Sequence, residues 1–357
     1  MKVRKIKGII SGFLCSAIFM LSLAGCGETE IALTAGIANG KATTDGVIEY
    51  NNTYYIVDAN GVNYKKSIDE KSVVVAHTSQ ANGTVQSNFA VGDDKIYFIT
   101  TKKGQAKTLY QCELDGKKRK KLIVRDEINI VGVYRNSVYY YDEQNILKCI
   151  NSETGLKSEF SSTSGAPFYQ YNNCFIHKAN DGMLEAYNCD SDSNILLSET
   201  PVGAFGVTDK GAVFAVNNSE TEDSYNYSFY GFDYNARIVK KINEVGASKP
   251  VDVITETVAL TNSKNRLQVC DIKTGKSTDH SFKAEGKFIH NTGVSSNIYY
   301  INDNTCLKFS SESNEAQKIV IDYEKFDIDY NKVISIVNDQ YIVSLDDEGY
   351  YSFDKIW

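Results

Sequence analysis

Lys95-Ile96-Tyr97-Phe98-Ile99-Thr100 is followed by Thr108-Leu109-Tyr110-Gln111-Cys112-Glu113-Leu114, the pair Asp115-Gly116, and Lys120-Lys121-Leu122-Ile123-Val124. These runs read as strands joined by polar turns. Aromatic and β-branched residues fill them, as strands prefer. Asp-Gly supplies the positive φ of a tight hairpin.

The pattern recurs in both directions. Runs anchored on Tyr54, Tyr97, Tyr139, Phe175, Val213, Val258, Tyr299 and Tyr341 succeed one another at steps of 43, 42, 36, 38, 45, 41 and 42 residues. Each unit has room for a strand before the anchor, such as Gly46-Val47-Ile48-Glu49-Tyr50, and two after it. Thr154-Gly155 and Thr274-Gly275 repeat the last turn. A period of about 40–45 residues marks propeller blades, and no stretch sustains a helical apolar period. The predicted fold is all-β: a single β-propeller of about eight four-stranded blades over residues 45–357, with seven the alternative count.

The unit running from Lys95 through Leu109 to Asp115-Gly116 and Leu122 resembles the YWTD-type blade of low-density-lipoprotein-receptor-like propellers. It is more similar still to their bacterial relatives, domains of unknown function on lipoproteins. The strict Tyr-Trp-Thr-Asp tetrad occurs nowhere. The resemblance implies a fold and, by itself, no ligand.

The eighth unit, from about Ile328 to Trp357, has room for three strands. An open gap would expose a strand edge, which proteins usually cover. Glu30-Ile31-Ala32-Leu33-Thr34-Ala35-Gly36-Ile37, within the leading segment 26–44, is apolar enough to pair with Gly349–Trp357 and close the ring; a tether without structure is the alternative.

Lys2, Arg4, Lys5 and Lys7 precede an apolar stretch from Ile9 to Leu23, the layout of a secretory signal peptide over residues 1–25. Leu23-Ala24-Gly25-Cys26 resembles a bacterial lipobox, which implies lipidation of the Cys26 thiol and cleavage before it. An uncleaved anchor is the competing reading, but the stretch is short of the roughly 20 residues of a span. The expected location is therefore the extracytoplasmic face of the cell membrane, held by the lipid on Cys26.

Without residues 1–25 the chain keeps 34 of its 38 cations and all 45 carboxylates, a net charge of −11. That balance excludes nucleic acid, whose binding rests on cations. The only basic run is Lys117–Lys121, read as a solvated hairpin or as a contact for anionic headgroups or wall polymers.

Little in the sequence points to catalysis. Cys112, Cys149, Cys189 and Cys270 fall near the ends of third strands in separate blades, too far apart for a disulfide limited to about 7 Å. Cys174 and Cys189 are the one pair a hairpin could bring together. His77, His177, His280 and His290 are scattered, no nucleophile elbow occurs, and no metal or cofactor signature is found. The acidic groups Glu220, Glu222, Asp223 and Asp346, Asp347, Glu348 fall at turns.

The strongest functional lead is the fifth unit. Its enlarged connection carries Glu220, Glu222 and Asp223 and leads into Tyr225, Tyr227 and Tyr230. These form a candidate partner-binding hairpin, because tyrosine offers area with a polar tip; aromatics packed between blades are the alternative. The expected function is a scaffold contacting a protein partner through one propeller face. Glycan or wall-polymer binding comes second, and a hydrolase or lyase with an unrecognised site third.

Overall fold

The computed structural model describes residues 29–30, 40–43 and 46–356. Within the last span the stretches 78–82, 163–168, 208–210, 220–224, 234–237, 248–249, 293–296 and 311–314 are excepted, as are positions 172, 180, 192, 256, 284, 304 and 327.

Eight antiparallel meanders form an eight-bladed β-propeller: blades 1 (47–77), 2 (84–125), 3 (128–162), 4 (169–196), 5 (202–247), 6 (253–281), 7 (287–319) and 8 (333–355). Strands are named a to d outward from the axis. Seven blades have four of their own, and blade 8 has three among the described residues. Helix is confined there to Tyr323–Phe326 and the 3-10 turn Tyr330–Lys332.

Neighbouring a strands run parallel, as Asn291↔Ile336 and Thr292↔Val337 show for blades 7 and 8. Every a–b and c–d connection therefore lies at one end of the ring, and every b–c and d–a connection at the other. At the a–b end, Asn51-Asn52, Asp93-Asp94, Arg135-Asn136 and Asn338-Asp339 have φ between 46° and 60° at both central residues. That is the type I′ turn, whose twist matches a hairpin. At the c–d turn of blade 2, Gly116 takes φ 82°.

The core lies between blades. Successive side chains of a strand point to opposite faces, and in strand b both faces are covered. Ile96 and Phe98 pack on blade 1, whereas Tyr97 and Ile99 pack on blade 3. Eight buried clusters fill the eight interfaces, so the ring is closed by packing.

Tyrosines bolt the blades together. The Tyr97 hydroxyl of blade 2 donates to Ser152 Oγ of blade 3 at 3.2 Å. Tyr134 of blade 3 donates to Asp190 after blade 4's strand c at 2.8 Å, and Tyr299 of blade 7 to Asp339 of blade 8 at 2.7 Å. Each ring is a large apolar filler whose polar tip reaches the a–b end, where a partner waits. Asp339 also accepts from Asn297 at 2.7 Å and faces Lys308 Nζ at 3.2 Å. Asp339→Ala strands three donors and should cost about 3 kcal/mol, against about 1 kcal/mol for Tyr299→Phe; urea unfolding of the two variants checks the order.

Blade 8 meets blade 1 through Val337 and Val343 against Val47, Tyr54 and Ile56, with Tyr351 and Phe353 packed alongside. The Ala59 N–H donates to Gly349 O at 3.0 Å, and Asn338 Nδ2 donates to the Tyr54 hydroxyl. Gly46, at φ 78°, leaves room for the Tyr351 hydroxyl, which a Cβ there would strike. Of the expected closing strand 30–37, residues 31–37 lie outside the described residues. Glu30 pairs, with Thr29, to strand d of blade 5 (Ile238–Ala247). Gly40–Thr43 pairs with strand a of blade 2 (Thr84–Gly92).

Candidate functional site

The two ends of the ring differ in charge. Connections described at the a–b end carry eight Lys/Arg against nine Asp/Glu, but those at the b–c end carry six against fourteen. Among the described connections the acidic excess therefore lies where the b–c and d–a connections are.

A groove of about 640 Å³ opens at that same end, beside blade 8. One wall is the connection from blade 7 to blade 8. Its helical turn closes through the Ile328 N–H to Tyr323 O at 2.9 Å. Asp329 Oδ1 then accepts from the Asn331 N–H at 2.9 Å and caps the 3-10 turn. Lys287 Nζ pins this wall to blade 7, donating to Asn331 O at 2.8 Å and Val333 O at 2.7 Å. Burial pushes the Lys287 ammonium below its ordinary value.

The other wall is the b–c turn of blade 8. Asp346 Oδ1 shapes it by accepting from the Glu348 and Tyr350 N–H groups at 2.9 and 2.8 Å. Between the walls lie Leu345 and the hydroxyls of Ser344 and Ser352, 2.6 Å apart. Lys332 Nζ crosses the mouth to Asp347 Oδ1 at 3.0 Å. Both groups are solvated, so the pair contributes little to stability. Glu324, Asp329 and Asp346 leave the lining acidic, and Tyr350, 41% exposed, offers an apolar ring at its edge. The Tyr323 hydroxyl is buried and held above its ordinary value by that burial.

The residues singled out in sequence lie as follows. Cys26, Glu220, Glu222 and Asp223 are outside the described residues. Tyr225, Tyr227 and Tyr230 occupy strand c of blade 5 (Tyr225–Asp233). Tyr227 is buried against blade 6, and its hydroxyl accepts from the Val251 N–H at 3.3 Å. Half-buried Tyr225 stacks on it at 6.1 Å. Tyr230 turns to the opposite face and stacks on Phe214 at 5.3 Å. The connection these tyrosines follow, after Asn217, belongs to the acidic b–c end.

Lys117 and Lys118 at the a–b end pair with Asp115 and Glu113 at 2.7 and 2.6 Å, and Lys120 donates to Ser152 O at 3.0 Å. Cys174 and Cys189 pack on opposite faces of blade 4, toward blades 5 and 3. All six described cysteines are free thiols, and burial pushes Cys112, Cys174, Cys189 and Cys306 up to about 12. Such thiols do not act as nucleophiles at neutral pH. His177 is fully buried and His280 stacks on Phe282; the side chains of His77 and His290 are not described. Among the described residues, no three His, Cys, Asp or Glu side chains are grouped to hold a metal.

Sequence reasoning assigned Asp346–Glu348 to a turn, began the eighth unit at about Ile328, and gave Tyr323–Lys332 no functional role. Neither segment carries a motif; the groove exists only because a d–a connection and a b–c turn meet in space.

No family model matches the sequence, and no curated protein does. Solved structures similar to this chain include the computationally designed Ika8 protein, at 12% identity and a TM-score of 0.53, covering 92% of this chain and 100% of that one. BamB from Moraxella catarrhalis is similar at 8% identity and a TM-score of 0.49, covering 91% of this chain and 99% of that one. At 12% identity the likeness to Ika8 is one of fold.

Proposed function

We propose that the protein is a non-enzymatic scaffold on the extracytoplasmic face of the membrane, tethered by a lipid on Cys26, that binds a basic protein partner at its b–c end. The coincidence of the acidic excess with the groove carries this reading. A field of one sign over one end steers an oppositely charged partner and sets its orientation. The groove supplies a concave contact with an exposed ring, and the closed ring supplies a rigid platform. Leu23-Ala24-Gly25-Cys26 supports the tether.

The test is an in-cell cross-linking pull-down of the lipidated protein, with a soluble form lacking residues 1–26 as control. A stoichiometric protein caught by both forms is expected. Its capture should fall about tenfold between low and physiological salt, and again in the pair Glu324→Lys, Asp347→Lys. Capture indifferent to salt and to those reversals would sink the acidic-face reading. Cys26→Ser should release the protein from the membrane fraction.

Glycan binding is the second reading, favoured by Tyr350 standing beside carboxylates and the Ser344 and Ser352 hydroxyls. Retention on a wall-polymer column that is lost in Tyr350→Ala, with no protein captured, would move it to first place.

A further inference from the structure

Among the described residues, seven blades cover the outer edge of strand c with a strand d of their own, and blade 8 does not: Tyr351–Lys355 ends its sheet. The pairing of that strand with Tyr341–Leu345 fixes which groups face outward. The Asp346 N–H donates to Tyr350 O at 3.0 Å, and the Ile356 N–H donates to Gln340 O at 2.9 Å. Bonded and unbonded pairs alternate along an antiparallel ladder, so in this register Ser352 and Asp354 bond inward to strand b. The N–H and C=O groups of Phe353 and Lys355 point away from the sheet, and they make no hydrogen bond among the described residues. Proteins usually cover or blunt such an edge. The described residues on either side of 31–39 are paired elsewhere, Glu30 to blade 5 and Gly40 to blade 2.

The two faces of this edge differ. Toward blade 1, Tyr351 and Phe353 are half-buried, and Lys65 Nζ stands 4.9 Å from the centre of the Phe353 ring. Toward blade 7 lie Ser352 and Asp354, whose Oδ2 accepts from Ser352 Oγ at 3.2 Å. Ser352 also lines the groove, together with Glu324, Asp329 and Asp346. Strand c leaves the b–c end, so a strand added antiparallel to it finishes at that end, beside the groove. Residues directly opposite one another share a face. An added strand therefore meets aromatic rings at one set of alternate positions and hydroxyl and carboxylate groups at the other.

From the open edge, its two unlike faces and the acidic groove at its foot, we propose that the basic partner adds an extended segment to blade 8 as its fourth strand, alternating apolar residues with Lys or Arg. The inference rests on the reading of the b–c end as the face for a basic protein, and it deepens that reading by naming the contact. Main-chain bonds to Phe353 and Lys355 hold the added strand, and its alternate side chains select it. Its apolar residues pack beside Tyr351 and Phe353. Its cations face Asp354 and, past the end of the strand, the carboxylates of the groove.

The probe is a short fluorescein-labelled peptide alternating valine with lysine, titrated against the soluble form lacking residues 1–26. Valine falls opposite Phe353, so the valine N–H groups face the edge and the lysine N–H groups face solvent. N-methylation of the valines should weaken binding about tenfold or more, and N-methylation of the lysines should leave it unchanged. Lys355→Pro removes one outward donor and spares the bonds to strand b, a place where a sheet edge accepts proline. It should weaken binding to a similar degree, with the urea transition still sharp. Asp354→Lys leaves the backbone intact and should also weaken binding, whereas Glu143→Lys, on the exposed b–c turn of blade 3, should not. Amide exchange at Phe353 and Lys355 should be fast in the free protein and slow with peptide bound. Protection in a free monomer would give the edge to the chain's own leading segment, and protection in a dimer would give it to a second copy; either overturns the inference. So does a peptide that fails to bind, or one held equally well with its valines or its lysines methylated. A partner captured from cells equally by wild type and Lys355→Pro overturns the added strand as well, while the salt dependence of that capture still decides the acidic-face reading.

Discussion

Deleting residues 349–357 should abolish cooperative unfolding. The deletion removes strand c of blade 8 (Tyr351–Lys355), which pairs with Tyr341–Leu345 in unbroken register. It also removes Tyr351 and Phe353 from the interface with blade 1, and the carbonyl that accepts from the Ala59 N–H. A closed ring is cooperative because every blade has two neighbours. Once opened, it becomes a linear array in which each unit depends on nearest neighbours alone. Its end blades would also expose faces built for burial: Val47, Ile56, Val337 and Val343 are each under 5% exposed. The truncated chain should retain β-type circular dichroism, bind a hydrophobic dye and lose its sharp urea transition, with a smaller m-value. Phe353→Ala is the graded control. It thins the same interface without opening it, so it should cost about 3 kcal/mol with the transition still sharp. A truncated chain that melts like the full one would show that closure depends on other contacts.

The blade repeat was legible because each anchor strand faces the same demand. Strand b is covered on both faces, so Lys95–Thr101 and its equivalents must be apolar at nearly every position. The count of eight followed from the steps between anchors. Closure was harder to read. Sequence suggested a strand over 30–37 to fill the gap in blade 8, and residues 31–37 of it lie outside the described residues; among the described ones the ring is joined there by side chains of blades 8 and 1 and by the Ala59–Gly349 backbone bond. The abundance of tyrosine was visible, yet not its use: Tyr97, Tyr134 and Tyr299 look like any strand aromatic until their hydroxyls reach the next blade.

Function was less legible for a geometric reason. Acidic turns are scattered along the chain, and only topology says which share an end. Asp126, Glu143, Asp181, Asp303 and Asp347 are far apart in sequence and meet at the b–c end of one ring. In blade 5, the alternation of Tyr225 and Tyr227 against Tyr230 already implied two faces. The alternative offered in sequence, aromatics packed between blades, is what the strand does with both faces: Tyr225 and Tyr227 lie toward blade 6 and Tyr230 toward blade 4.

His177 should make the fold acid-sensitive in a window that few other groups of this chain reach. It sits in strand b of blade 4, is 0% exposed, and is pushed down to about 4 by that burial from an ordinary 6.5. Glu185, directly opposite in register, has a carboxylate oxygen 3.6 Å from Nε2 and would favour the charged imidazole. Glu185 is half-buried and itself raised, by burial first and then by Asp181, so its pull falls short of the cost of removing an imidazolium from water. The sign follows. Between pH 6.5 and 4 the unfolded chain binds a proton at His177 and the native chain does not, so stability falls as pH falls. Over that interval the loss is about 3 kcal/mol, at 1.4 kcal/mol for each unit of difference. Raised Glu185 acts in the opposite sense near its own range, favouring the fold as it protonates. Urea unfolding of the wild type at pH 7 and pH 4.5 should differ by most of the His177 amount. His177→Gln keeps a polar amide in place of the ring and cannot charge, so its stability should change far less over the same interval. Equal acid losses in the two proteins would mean that the destabilisation arises at other groups.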